Sequence, residues 1–135
     1  MTCRFARSSS DTLLILACGY DSVSDDDYID EPEYGALIGS GAFRKAMQIA
    51  YSHSVGLFHV HMHGGRGSPK PSSIDTRESQ RFVPDFFNVQ PRLQHGILIL
   101  SSDWLWGQVW VAKTRKPEII QRITVVGDRL VRGTA

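Results

Sequence analysis

The stretch Val55-Gly56-Leu57-Phe58-His59-Val60-His61-Met62-His63 leaves the chain few ways to fold. An apolar run leads directly into three of the five histidines, and these stand at alternate positions. Alternate side chains of a β-strand share one face, so a strand here lines a wall with three imidazoles. The apolar lead-in predicts cover on both faces, which makes Val55–His63 a central strand. Each buried imidazole needs its own hydrogen-bond partners, so three on one wall point to a functional cluster. Two imidazoles and a carboxylate from a following loop form a ligand set for zinc with one open position. Ser72-Ser73-Ile74-Asp75 follows the histidines and offers the carboxylate.

Around this strand the chain reads as a mixed α+β domain spanning residues 1–135. Leu13–Cys18, closed by Gly19, is continuous in apolar character and predicts a buried strand. The acidic stretch Asp21–Tyr34, with Asp25-Asp26-Asp27, reads as a solvated loop. Ser40 can cap a helix whose apolar positions Phe43, Met47, Ala50 and Tyr51 share a face. Gly64–Pro71 is a loop, and a second helix is expected to begin near Asp75 and end before Pro84. Phe82, Phe86 and Phe87 are expected in the core. Gly96–Ser101 predicts another buried strand. Trp104–Lys113 alternates around Gly107, which fits a bulge or turn, and its tryptophans read as core plus one exposed ring. Ile119–Val126 and Arg129–Val131 flank the turn signal Gly127-Asp128 and predict a closing hairpin. The expected architecture is a sheet of about six strands flanked by two helices, with the zinc site at the end of a central strand. His53 and His95 belong to no constellation and read as surface or turn residues.

Composition narrows the function classes. The net charge of +1 gives no footprint for nucleic acid. Cys3 and Cys18 are too few for a disulfide framework and lack metal-site spacing, so a reduced cytoplasmic setting is expected. The longest apolar stretch is too short to span a membrane, and no secretory leader is recognisable.

The spacing also carries a family resemblance. His59-Val60-His61, ten residues, then Ser72-Ser73-Ile74-Asp75 resembles the signature of the JAB (JAMM, MPN-plus) zinc isopeptidases: His-x-His, seven to ten residues, Ser-x-x-Asp. Gly56-Leu57-Phe58 resembles that family's glycine-plus-apolar run, the order of elements from Asp11 to Leu130 is similar, and Gly56–Val89 in particular resembles the small bacterial members. The resemblance implies that His59, His61 and Asp75 hold Zn2+. It implies that Ser72 supports the oxyanion or positions water. The family's general base is a glutamate near the start of the first buried strand, and Asp11 stands nearest that place, one methylene shorter. Glu31 and Glu33 lie where the family has no base. The family's usual first strand and helix are largely missing ahead of Asp11. His63 is left to support a ligand, touch substrate, or shift the pair to His61 and His63, which leaves eight residues before Ser72.

By that resemblance the activity is hydrolysis of an amide bond at the C-terminal tail of a ubiquitin-like or sulfur-carrier-like protein. A ubiquitin-activating-like enzyme is the implied partner, and the tail would enter as an added strand beside the histidines. Two alternatives remain open. His59-Val60-His61-Met62-His63 also matches the histidines of the histidine-triad nucleotide hydrolases, where His61 would be the nucleophile. A non-catalytic interaction module of the JAB fold is the third reading, kept open by Asp11.

Overall fold

Alternating and continuous apolar runs become strands, and the two amphipathic stretches become the two α-helices. A computed structural model describes residues 1–31, 35–126 and 131–134. In chain order these form β1 (Thr2–Arg7), β2 (Leu13–Gly19), β3 (Tyr28–Glu31), β4 (Gly35–Ile38), α1 (Ser40–His53), β5 (Gly56–Met62), α2 (Ser73–Phe86), β6 (His95–Leu100), β7 (Leu105–Trp110), β8 (Pro117–Ile119), β9 (Arg122–Val125) and β10 (Val131–Thr134). Six strands make one sheet in the order β2-β1-β5-β6-β7-β8. β5 and β6 run parallel, from the pair Phe58–Gly96 to Met62–Leu100, and the remaining neighbours are antiparallel. A parallel pair needs a crossover, and α2 is that crossover. β3 with β4 and β9 with β10 form separate ribbons. The expected mixed α+β sheet with two helices is therefore what the chain adopts.

The sheet separates two cores. Leu57 and Ile97 pack with Ala50 of α1 and with Val83, Phe86 and Phe87. On the second side Cys3, Phe58 and Val109 pack with Phe5, Ile15 and Ile120. Because β5 alternates, Leu57, His59 and His61 face the helices while Phe58 faces the second core. Burial of the Cys3 thiol pushes its pKa up to about 12, so it packs as a small apolar group.

Close approach explains two glycines. A Cβ on Gly96 would run into the Gln108 carbonyl and the Phe58 ring, and one on Gly56 into the Gln94 carbonyl and Phe5. Gly96→Ala should destabilise the fold by about 3 kcal/mol through overpacking against backbone. Urea unfolding should show a lower midpoint at unchanged slope.

Several expectations need correction. Leu13–Cys18 is an edge strand, with Leu14 and Leu16 44% and 55% exposed, since an apolar run does not specify its place in the sheet. Pro84 lies inside α2, in its last turn, where Phe86 and Phe87 carry the chain on into the core. Gly107 pairs regularly with Leu98, and its missing side chain makes room for Leu98 and Ile120. Trp110 is buried and Trp106 packs against the core, but Trp104 is only partly exposed. β9 and β10 pair antiparallel, while the expected Gly127-Asp128 turn lies outside the described residues.

His95 departs furthest from expectation. It is fully buried, its Nδ1 accepts from the Leu57 N–H at 3.1 Å, and its Nε2 donates to the Gln90 carbonyl at 3.0 Å. The amide must donate, so the ring is neutral with its proton on Nε2. Phe87 meets it edge-on at 4.7 Å between centroids. Burial lowers its pKa to about 4. His95 thus ties β6 to β5 and to the turn after α2.

Candidate metal centre

The crossover that α2 makes brings its first turn over the C-terminal end of β5. There three side chains converge. His61 Nε2 lies 3.1 Å from Asp75 Oδ1, His63 Nε2 lies 3.1 Å from Asp75 Oδ2, and the two Nε2 atoms are 3.2 Å apart. Among the described residues, His61, His63 and Asp75 are the group whose donor atoms could hold a metal ion. Tetrahedral zinc with bonds near 2.1 Å places its ligands about 3.4 Å apart, so the observed separations fit one small cation. The donors are two imidazole nitrogens and a carboxylate, a set that suits zinc.

Helix geometry decides which histidines take part. His59 lies deeper, its ring 5.4 Å edge-on from Phe82, which stands seven residues after Asp75. Seven helical residues rise about 10.5 Å, so the part of α2 facing His59 is two turns past the carboxylate. His63 lies one residue past β5, yet its N–H still bonds to the Leu100 carbonyl at 2.8 Å and continues the ladder. Of the two registers, it is His61 and His63, with eight residues before Ser72, that the structure brings beside Asp75, while His59 of the expected pair stays outside that group.

Burial, with His61 nearby, lowers the His59 pKa to about 4, which keeps that ring neutral. Burial also lowers the pKa of His61, against the opposing pull of Asp75. A neutral imidazole is the form that ligates metal. Burial pushes the Asp75 carboxyl up, but hydrogen bonds from Ser72 and the electrostatic pull of His61 and His63 leave it below its usual range. His61 Nδ1 is buried and has no hydrogen-bond partner among the described residues.

Ser72 is the N-cap of α2. Its Oγ accepts from the Asp75 N–H at 3.1 Å, and Asp75 Oδ2 accepts from the Ser72 N–H at 2.7 Å. This reciprocal pair fixes the carboxylate and also satisfies the helix start. Asp75 is at once a cap and a metal-facing group, and it sits at the positive end of the helix dipole.

Asp11 is elsewhere. It sits in the β1–β2 turn with φ 61°, 86% exposed and 2.9 Å from Arg7. β1 pairs with the start of β5 and runs away from it, so β-strand rise puts Asp11 roughly 30 Å from His61. The expectation that Asp11 acts as base fails on distance. The Glu31 and Glu33 side chains lie outside the described ones.

A groove of about 860 Å³ runs from His61 and Asp75 between the helices over β5, lined by Phe43, Leu57, Phe82 and Glu78 among others. Glu78 follows Asp75 by three residues and precedes Phe82 by four, which puts it on the same helix face. Its Oε1 accepts from Arg77 Nε at 3.0 Å. The signal for Glu78 in the sequence is the helical spacing Asp75, Glu78, Phe82, which counts only once α2 is known to lie over β5.

Phe58 exchanges main-chain bonds of 2.9 and 3.0 Å with Met1, while His63 bonds to β6 on the other side. By that alternation Val60 and Met62 turn their main-chain groups to the same side as Phe58, where no described strand pairs with them.

Compared with protein-family models, with curated proteins and with solved structures, the chain matches none. Among the described residues no helix is long and apolar enough to cross a membrane. Fold and site thus define an α+β domain with a candidate His-His-Asp metal centre at a strand end.

Proposed function

We propose that the chain is a zinc-dependent hydrolase of amide or isopeptide bonds, acting in the cytoplasm on the C-terminal tail of a ubiquitin-like or sulfur-carrier-like protein. One observation carries this reading: three donors of the right chemistry lie 3.1–3.2 Å apart at a groove end. When bound, zinc supplies a Lewis acid for the scissile carbonyl and brings a water molecule's pKa toward neutrality. His61, His63 and Asp75 hold it, and Ser72 fixes Asp75 through the cap. The main-chain groups of Val60 and Met62, unpaired among the described residues, flank His61 and can take an extended tail as an added strand. Glu78, on the groove wall, is the carboxylate that takes up and returns the proton in place of Asp11. A ubiquitin-activating-like enzyme remains the expected partner. The remoteness of Asp11 favours one second reading, a metal-binding module of this fold without catalysis. The nucleotide-hydrolase reading has no observation of its own.

Metal content by mass spectrometry tests the proposal. About one zinc per chain is expected, retained in His59→Ala and lost in His63→Ala. Retention in His63→Ala with loss in His59→Ala would restore the other register. A wild type without zinc would sink the hydrolase reading. A ubiquitin-like protein extended at its C-terminal Gly-Gly should be cut by the loaded wild type and spared after chelation. Zinc without cleavage would favour the module.

A further inference from the structure

We infer that Asp103 is a positioning residue for the metal centre, acting through the glycine loop that follows His63. The inference rests on the metal-site reading above. After His63 the chain passes through Gly64, Gly65, Arg66 and Gly67 before it reaches Ser72 and Asp75. Gly65 and Gly67 have φ of +100° and +83°, conformations that side chains rarely adopt. A Cβ at Gly64, Gly65 or Gly67 would meet nothing within 4 Å, so packing does not hold this glycine stretch, and the first buried side chain after it is Pro69.

The turn between β6 and β7 holds it instead. Asp103 Oδ1 accepts from the Gly67 N–H at 2.7 Å, and Oδ2 accepts from Arg66 Nε at 3.3 Å. Ser101 Oγ donates to the Gly67 carbonyl at 2.7 Å. The Gly65 carbonyl accepts from the Ser102 N–H at 3.1 Å and from its Oγ at 2.8 Å. Ser101 and Trp104 close the turn, with the Ser101 N–H donating to the Trp104 carbonyl at 2.9 Å. Both ends of the loop carry metal-facing groups, His63 before it and Asp75 after it. A loop of this composition left free would let those ends drift. Asp103 is the one side chain of the turn that grips both a loop N–H and the Arg66 guanidinium, and its charge strengthens both bonds. Asp103 touches none of the three metal-facing side chains, so it acts on them through the loop backbone, as groups outside the ligands do when they fix ligand orientation.

Zinc affinity measured by competition with a chromogenic chelator tests this, alongside urea unfolding of the zinc-free protein. Asp103→Ala should weaken zinc binding about 10- to 100-fold while leaving the zinc-free midpoint nearly unchanged. Asp103→Asn keeps an acceptor for the Gly67 N–H and should recover most of the affinity. Unchanged affinity in Asp103→Ala, or a loss matched by an equal fall in zinc-free stability, overturns the positioning role. A wild type that binds no zinc overturns the metal site itself, and the positioning role with it.

Discussion

Asp75→Ala is expected to lose zinc binding by more than about 100-fold, beyond what loss of a supporting partner costs, because it removes one of three protein ligands. The same change removes the acceptor for the Ser72 N–H and the anion at the start of α2. The zinc-free protein should therefore lose about 1 kcal/mol, a few degrees in melting temperature. Asp75→Asn separates the two effects. Its amide oxygen can still accept from Ser72, so zinc-free stability should stay near wild type, whereas the neutral side chain is a poor zinc ligand. Calorimetric titration with zinc, beside thermal unfolding in chelator, reads both. Equal zinc affinity in wild type and Asp75→Asn would remove Asp75 from the ligand set.

Acid should unfold the zinc-free protein early, and His95 gives the sign. Its pKa falls from 6.5 in the unfolded chain to about 4 in the folded one. Above pH 6.5 both states carry a neutral ring and stability is at its full value. Between pH 6.5 and about 4 the unfolded chain binds a proton that the folded chain refuses, so stability falls with pH. The loss from this group reaches about 3 kcal/mol, at up to about 1.4 kcal/mol per pH unit. His59, also lowered to about 4 by burial, acts in the same direction. Urea midpoints in chelator should drop steadily from pH 6.5 to 4.5. In His95→Gln, which removes the titrating ring, that slope should shrink. A flat profile in the wild type would mean that His95 is not held neutral.

Much of the candidate site was legible because it depends on local periodicity. Histidines two residues apart on a strand must share a face, and Ser72 with Asp75 three residues on is a helix start wherever it occurs. The errors share a physical cause. Leu13–Cys18 and Val55–Phe58 are both apolar runs, yet one ends at the sheet edge and one at its centre. His95 had no neighbours in sequence to mark it. Leu57 reaches it only once β5 and β6 are side by side, and the Gln90 carbonyl only once the turn after α2 has formed. Asp11 stands near the start of a buried-looking strand in sequence, but the antiparallel course of β1 leaves the β1–β2 turn at the end of the sheet away from His61.

The sequence alone determined that a histidine-lined strand is followed by a capped carboxylate, because side-chain alternation and capping act over a few residues. Only the tertiary structure decided that His61 and His63, and not His59, meet Asp75. The parallel pairing of β5 with β6 sets where the crossover begins, and the packing of Phe82 against His59 sets how far α2 slides along the strand. These are contacts between distant segments, and their energies depend on the sum of the core, which no single motif encodes.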